Sequence, residues 1–474
     1  MRSYKPFVAC LAVGWTLLPV TVEAADDVTA LRAELQALKS DYDARVAALE
    51  MRIQQLESAA SAPAASVAAA APAVVEPPGP AQPPVPAGGS RIAASAFNPA
   101  ISLILAGNYT NASRDPEDWR IGGFIPSGGE VGPGSRSFNL GESELALTSN
   151  VDPYFAATLI AAITEENEIE VEEAFFRTLA LPAGFTAKGG RFFSSLGYLN
   201  EVHAHAWDFV DQPLIYQAFF GNQLAEDGVQ LKWLAPTDLF LELGAETGNG
   251  REFPGTSRNR NGFNGGTMFA HVGGDIGDTT SWRAGASWLQ ANADSRVFED
   301  VNEIDEPVLN AFTGKSRTWV LDAVAKWTPY GTVTRQQLKI QGEYLHRTED
   351  GQLAFDTEGS NLSDAYRSEQ SGWYLQSVYQ FRPRWRVGLR YDSLHSGSPR
   401  IGLVTSGALP PSAFPALLSA QPDRLTMMFD WSPSEFSRLR AQYGWDNARD
   451  QGSRDRQFRV QYLYGIGAHG AHKY

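Results

Sequence analysis

From Asn98 onward the chain is ruled by a period of two, which allows few folds other than antiparallel sheet. In 227–234, Val229, Leu231 and Trp233 take one face, with Gln230 and Lys232 on the other. In 239–246, Leu239, Leu241 and Leu243 oppose Glu242 and Glu246, and in 385–392, Trp385, Val387, Leu389 and Tyr391 oppose Arg386, Arg390 and Asp392. The last such run sets Phe458, Val460, Tyr462 and Tyr464 against Gln457, Arg459 and Gln461. Each is a strand with one apolar and one polar face.

The connections between these runs fall into two classes that take turns along the chain. Tight ones, rich in Pro, Gly, Asp and Ser, lie at 151–154, 181–184, 235–238, 277–280, 328–334, 382–384 and 432–435. Long ones lie near 111–137, 192–226, 247–266, 291–316, 348–370 and 396–422, with short members of the same class near 164–167 and 447–454. Short turns at one rim and long loops at the other are the layout of a transmembrane β-barrel, here of about sixteen strands with both termini periplasmic. Tyr154, Trp233, Phe240, Trp327, Trp385 and Trp431 sit beside the tight turns, where an interfacial aromatic girdle belongs. A soluble sandwich would give the same period with its apolar face turned inward. A single meander of about 375 residues favours closure into a barrel instead.

The first 98 residues have a different character. Arg2 and Lys5, an apolar run from Phe7 to Val22 and the small-residue site at Ala24 read as a secretory signal peptide over 1–24. The single cysteine, Cys10, lies inside it, so disulfides, thiolate metal sites and cysteine nucleophiles are excluded from the mature chain. Residues 26–58 carry a heptad seam at Leu31, Leu35, Leu38, Leu49, Ile53 and Leu56, with Tyr42 and Val46 bracketing one extra four-residue step. A stripe so narrow asks for copies of itself, so a periplasmic α-helical coiled coil and a homotrimer are expected. That rod serves trimerisation or a reach toward peptidoglycan, and the sequence favours neither. An Ala/Pro-rich linker, 59–96, tethers it to the barrel at 97–474. The formal charge of −15 argues against nucleic acid as a partner, and the partner expected for the barrel is outer-membrane lipid.

One connection is too apolar for a loop in solvent. Between residues 192 and 226, Phe192, Phe193, Tyr198, Leu199, Trp207, Phe209, Leu214 and Ile215 need a surface to pack on, and the inner wall of the barrel would supply it. Glu201, His203, His205, Asp208 and Asp211 would then line the remaining gap. His203 and His205 are two residues apart and point the same way in an extended segment. They are candidate ligands for Zn²⁺ or Cu²⁺, with a third ligand from Asp208, Asp211 or the wall. No cofactor is required, and a zinc ion at this loop is the one metal the residues suggest. The pair His469 and His472 reads as a polar tail after the last strand.

The stretch from Lys188 through Arg191 to Gly197, the run from Phe138 to Leu145, the loop from Glu201 to Asp211 and the ending from Gly467 to Tyr474 carry a resemblance. The chain is similar to outer-membrane porins of Gram-negative bacteria with a periplasmic N-terminal coiled coil, in the phosphate-selective porin O/P-like group. Within it, the chain resembles a subgroup often labelled zinc-regulated outer-membrane receptors. The resemblance implies a third outer loop that folds into the barrel and sets the constriction of a passive channel for small hydrophilic solutes or ions. A phosphate preference is not expected, because the lumen faces mix Lys232, Lys339, Arg386, Arg390 and Arg459 with Glu242, Glu246 and Glu343. The acidic run at 165–173 points instead to a weak cation preference. Two other functions fit less well. A TonB-dependent receptor needs a globular plug and about 22 strands. A hydrolase would need Ser194 or Ser195, His203 or His205, and Asp208 assembled as nucleophile, base and orienter. The chain is therefore not expected to be an enzyme.

Overall fold

The computed structural model describes residues 99–467 apart from 129, 130, 166, 167, 258, 303, 305, 333, 451 and 453. The expected signal peptide, coiled coil and linker, and the His469 and His472 pair, lie outside the described residues.

The first half of the described chain forms β1 (Ala100–Ala112), β2 (Ser137–Leu140), β3 (Ser143–Asn150), β4 (Phe155–Ile163), β5 (Ile169–Thr178) and β6 (Phe185–Phe193). It continues as β7 (Ala225–Leu234), β8 (Phe240–Gly248), β9 (Gly265–Ile276), β10 (Thr280–Val301), β11 (Pro307–Trp327) and β12 (Gln337–Phe355). The rest are β13 (Leu362–Arg382), β14 (Trp385–His395), β15 (Arg400–Ile401), β16 (Asp423–Ser434), β17 (Ser437–Asp446) and β18 (Asp455–Gly467). Two of these are short accessories. β2 pairs with the upper half of β1 while β3 pairs with its lower half, so the two act as one strand broken at 141–142. β15 adds two residues beside β13. The remaining strands run antiparallel to their neighbours, and β1 closes on β18 with Ser102 opposite Gly467 and Ala112 opposite Gln457. The result is a closed barrel of sixteen strands, short of the ~22 of a plugged receptor.

Closure removes every sheet edge, and the side chains reveal which face turned out. Val229, Leu231, Leu243, Leu389 and Tyr462 are between 41% and 54% exposed, whereas their neighbours Gln230, Arg390 and Arg459 are 4% exposed or less. The apolar face is on the outside and the polar face is within. That is the reverse of a soluble sandwich, and it separates two folds that share one sequence period. Tyr154, Phe240, Trp327 and Trp431 are exposed beside the tight turns, and Trp385 stacks on Trp431 at 5.4 Å between ring centroids.

Each expected tight turn separates two strands of the ladder. Two of the expected long loops do not exist as loops. Residues 291–316 are mostly the continued ladder of β10 and β11, leaving a connection of 302–306, and 348–370 are mostly β12 and β13, leaving 356–361. The reason is that the outward face of these extensions turns polar, as in Glu299, Lys315, Asp350 and Glu369, while the inward face mixes Phe298, Phe312 and Leu353 with Glu349, so the apolar-out alternation fades while the hydrogen-bond ladder goes on.

An outward position at mid-strand should not accept a charge. Val229→Arg is expected to lower unfolding stability in lipid by about 2–4 kcal/mol, measured by reversible denaturant titration of the vesicle-embedded protein.

Candidate functional site

The segment between β6 and β7, the third of the connections at the long-loop rim, is where the inward polar faces meet another part of the chain. Its neck is closed by Asn200, fully buried, whose Nδ2 donates to the carbonyls of Ser194 (2.8 Å) and Leu224 (2.9 Å) while its Oδ1 accepts from the Leu224 N–H. Inside that neck lie a one-turn 3₁₀ helix, Ala204–Ala206, and a seven-residue α-helix, Leu214–Phe220, buried at every position and ended by Gly221 in the left-handed region. Phe192, Phe193, Tyr198, Leu199, Trp207, Phe209, Leu214 and Ile215 are all 8% exposed or less. Those expected to need a wall have found one.

A segment with so little regular structure has carbonyls that its own chain does not satisfy, and buried carbonyls must find donors. Arginines on the strands supply them. Arg283 donates to the Gly197 carbonyl (3.1 Å), Arg390 to Asp211 (2.7 Å), Arg424 to Gln212 (2.8 Å), Arg440 to Trp207 (2.8 Å) and Arg438 to His205. Between Arg283 and Arg390 along the wall, Glu343 of β12 accepts from the N–H groups of Tyr198 and Leu199 and from the hydroxyls of Tyr216 and Tyr374. Gly197 permits this approach. Its φ is +63°, and a Cβ there would lie 2.3 Å from the Glu343 Oε2.

The five expected site residues separate into two groups. Asp208 is held by Lys339 (2.9 Å) and Arg386 (3.0 Å), and Asp211 by Arg390 (2.8 Å), Arg424 (2.8 Å) and Arg459 (3.3 Å). Both are 8% exposed and bind the segment to the wall, away from the histidines. Burial opposes charge on each, but the Lys339 and Arg386 charges, and for Asp211 those of Arg424, Arg459 and Arg390, outweigh it and hold the carboxyls well below the usual range.

Glu201 accepts from the Ser195 hydroxyl (2.7 Å) and pairs with Lys232 (3.4 Å). His203 and His205 stack nearly parallel, 6.0 Å apart, against wall glutamates the sequence did not single out. His203 Nδ1 is 3.2 Å from Glu172 and 3.7 Å from Glu144, its Nε2 is 3.1 Å from Glu173, and His205 Nδ1 is 2.6 Å from Glu144. Burial works against charge on His203, yet the hydrogen bonds from Glu172 and Glu173 and the Glu144 charge raise its pKa well above the ordinary value. Glu172 and Glu173 are adjacent and would normally face opposite ways. A β-bulge, where Ile160 pairs with Glu173 and Ala161 with Val171, turns both toward His203.

The hydrolase constellation is not assembled. Ser194 donates to Glu246 (2.6 Å) and Ser195 to Glu201. His203 and His205 bond to glutamates and Asp208 pairs with Lys339.

No family model matches the chain. An uncharacterized protein of Aquifex aeolicus (strain VF5) is 33% identical over 405 residues, which are 80% of each chain. This chain belongs to the same family. Among solved structures, the loop L8 deletion mutant of OmpT, an outer membrane protein of Vibrio cholerae, aligns with 77% of the chain and 98% of its own at 10% identity and a TM-score of 0.47. OprB of Pseudomonas putida aligns with 78% of the chain and 94% of its own (12% identity, TM-score 0.46). An anion-selective porin of Comamonas acidovorans aligns with 77% and 98% (11% identity, TM-score 0.45). Likenesses this distant carry nothing about function, and the barrel stands on its own closed ladder.

Removing one partner of a buried ion cluster leaves the others uncompensated. Asp211→Asn is therefore expected to weaken docking of 194–224 by about 3–5 kcal/mol, read as faster hydrogen exchange confined to that segment. Acid should not have the same effect. A depressed carboxyl gives stability that is present above its unfolded pKa of about 3.9 and is lost only as pH falls through the lower folded value. Exchange protection of the segment, corrected for intrinsic rates, should thus hold from pH 7 down to about 4.

Proposed function

We propose that the protein is an outer-membrane channel for the passive diffusion of small hydrophilic solutes or ions, and that residues 194–224 form its constriction. The observation that carries the reading is the inside-out barrel: a closed ladder with Leu, Val, Trp and Tyr outward and Arg, Asp, Glu and Gln inward. Such an outer surface is stable under lipid, and closure satisfies the backbone groups that lipid cannot. An ionic interior larger than its side chains can fill suits water and hydrophilic solutes.

The constriction is supported by what the segment bonds to. Its partners Glu246, Arg283, Glu343, Arg390, Arg424 and Arg440 belong to β8, β10, β12, β14, β16 and β17, and all project on the polar face. A chain tied to the inward faces of six strands narrows the lumen it crosses. In this reading Glu201, His203 and His205 stand at the rim of the opening, while Asp208 and Asp211 anchor the segment. Passive conduction needs no catalytic group, and the Ser, His and Asp side chains nearby are each engaged elsewhere. The kinship to phosphate-selective O/P-like porins and the homotrimer, carried by the seam from Leu31 to Leu56, belong to the same proposal.

Selectivity should be weak. Lys232, Lys339 and Arg386 remain 13–23% exposed at the side chain, and so do Glu201 and Glu242 at 21–23%. Signs are mixed there, and Glu168 and Glu170, beside the β4–β5 turn, tip the balance to cations.

Purified protein added to a planar bilayer is expected to give stepwise, ohmic conductance. In a KCl gradient the reversal potential should fall slightly to the cation side of zero, well short of the Nernst limit. Glu201→Lys should move it toward the anion side. Absence of steps from folded, heat-modifiable protein would sink the channel reading, and strong anion selectivity would sink the selectivity part alone.

A further inference from the structure

We infer that Glu144, Glu172, His203 and His205 form a binding site for one first-row divalent cation of the Zn²⁺ type, at the seam between the docked segment and the barrel wall. The inference rests on the docking of 194–224 described above, since two ligands come from that segment and two from strands.

Three observations converge. The first is ligand geometry. One ligand atom each from Glu144, Glu172 and His203 lie within 4.8 Å of one another. His205 Nδ1 sits 2.6 Å from the second oxygen of Glu144. A tetrahedral ion with bonds of about 2.0–2.2 Å would span such a set with side-chain rotations alone. The donor types, imidazole nitrogen and carboxylate oxygen, suit Zn²⁺ and its neighbours rather than Ca²⁺ or Mg²⁺.

The second is charge. Three carboxylates, Glu144, Glu172 and Glu173, gather around the two imidazoles, with Glu144 3% and the other two 11% exposed at the side chain. Among the described residues no lysine or arginine lies within ion-pair distance of any of the three. Elsewhere Asp211 of the segment and Asp392 and Asp430 of the wall are met by arginine, while Glu246 and Glu343 of the wall are held by neutral hydrogen-bond donors. Among the ion pairs of the described residues, the imidazoles are the groups at this cluster that can carry positive charge, and a bound cation would take the place of a proton on them.

The third is the partner of the far nitrogen. A metal-binding histidine usually gives its other ring N–H to a carboxylate, which fixes the tautomer and aims the lone pair at the ion. Glu173 Oε2 holds His203 Nε2 at 3.1 Å, so that Nδ1 faces Glu144 and Glu172. The bulge in β5 makes this possible, because it brings Glu172 to one nitrogen and Glu173 to the other. Phe193, with its ring centroid 5.1 Å from that of His203, closes one side. Glu173 is thus a positioning residue, and the bound ion would clamp the segment to β3 and β5.

The test uses full-length protein stripped with EDTA and titrated with Zn²⁺ alone by calorimetry, and with Co²⁺ followed by visible absorption. One Zn²⁺ per chain is expected, with a Co²⁺ band of the intensity given by four- or five-coordinate nitrogen and oxygen ligands. His203→Ala and Glu144→Gln should each weaken binding at least tenfold, and Glu173→Gln about 10–100-fold. Asp152→Asn, at an exposed tight turn remote from the cluster, should bind as the parent does. Heat-modifiable migration on a gel selects the folded variants. No stoichiometric Zn²⁺ binding by the parent, or parent-like affinity in folded His203→Ala, overturns the site. Conductance on the same preparations separates the two proposals. Steps without Zn²⁺ binding remove the site and leave the channel, whereas Zn²⁺ binding without steps removes the channel and leaves the site.

Discussion

The arrangement on which the rest depends is a guanidinium on a strand giving its N–H groups to a carbonyl of the segment between β6 and β7. A backbone placed there loses water on most sides, and each unpaired carbonyl costs about 1–3 kcal/mol. Arg390 and Arg424 meet that cost twice over, donating both to a carbonyl and to the Asp211 carboxylate. The same groups would be costly alone, since a buried arginine needs its charge answered. Asp392, Asp430 and Asp446 on the strands complete that answer. Wall and segment therefore solve each other's problem: the segment's aspartates neutralise the wall, and the wall's donors satisfy the segment.

This reciprocity explains why a stretch with just one seven-residue α-helix can be among the most buried parts of the chain. Hydrophobic packing supplies bulk, with Tyr216, Phe219 and Phe220 against Phe124 of the first long connection and Leu345 of the wall. The polar bonds supply register. A slip by one residue would set Gly197 away from Glu343, where a side chain has no room.

Much of the fold was legible in the sequence because membrane strands obey a simple rule inside the bilayer. Tight turns at 151–154 and 382–384, and the start of β1 near Ala100, could be read from turn chemistry and alternation. The rule ends where lipid ends. Beyond it, the outer face of β10 to β13 turns polar while the inner face packs on the 396–422 connection, the apolar-out alternation disappears and a continuing ladder looks like a loop. The direction of the faces was not legible in the period itself, which is the same inside out; the length of the meander gave it. At the site, the apolar side chains of 192–226 announced that the segment would be buried. Two features were hidden. Arg424 and Arg440 join the inward row through cross-strand register, which no single stretch encodes. Glu172 and Glu173 face one imidazole through a bulge that breaks the very period used to read the strands.

The uneven strand lengths give the barrel a direction. β10 to β13 hold 19 to 22 residues, whereas β3 to β8 hold 8 to 10. At about 3.3 Å per residue, and with some ten residues needed to cross a bilayer, roughly half of the long strands stand free above it. The mouth is cut on a slant. On one side rises a sheet lined within by Leu403, Phe414 and Leu417, while on the other the wall stops low at the short β4–β5 turn, beside the glutamates of β5. The low sill sits close to the headgroup layer, so any group carried on the β4–β5 turn is held nearer to the ions of the membrane surface than one carried on β10 to β13.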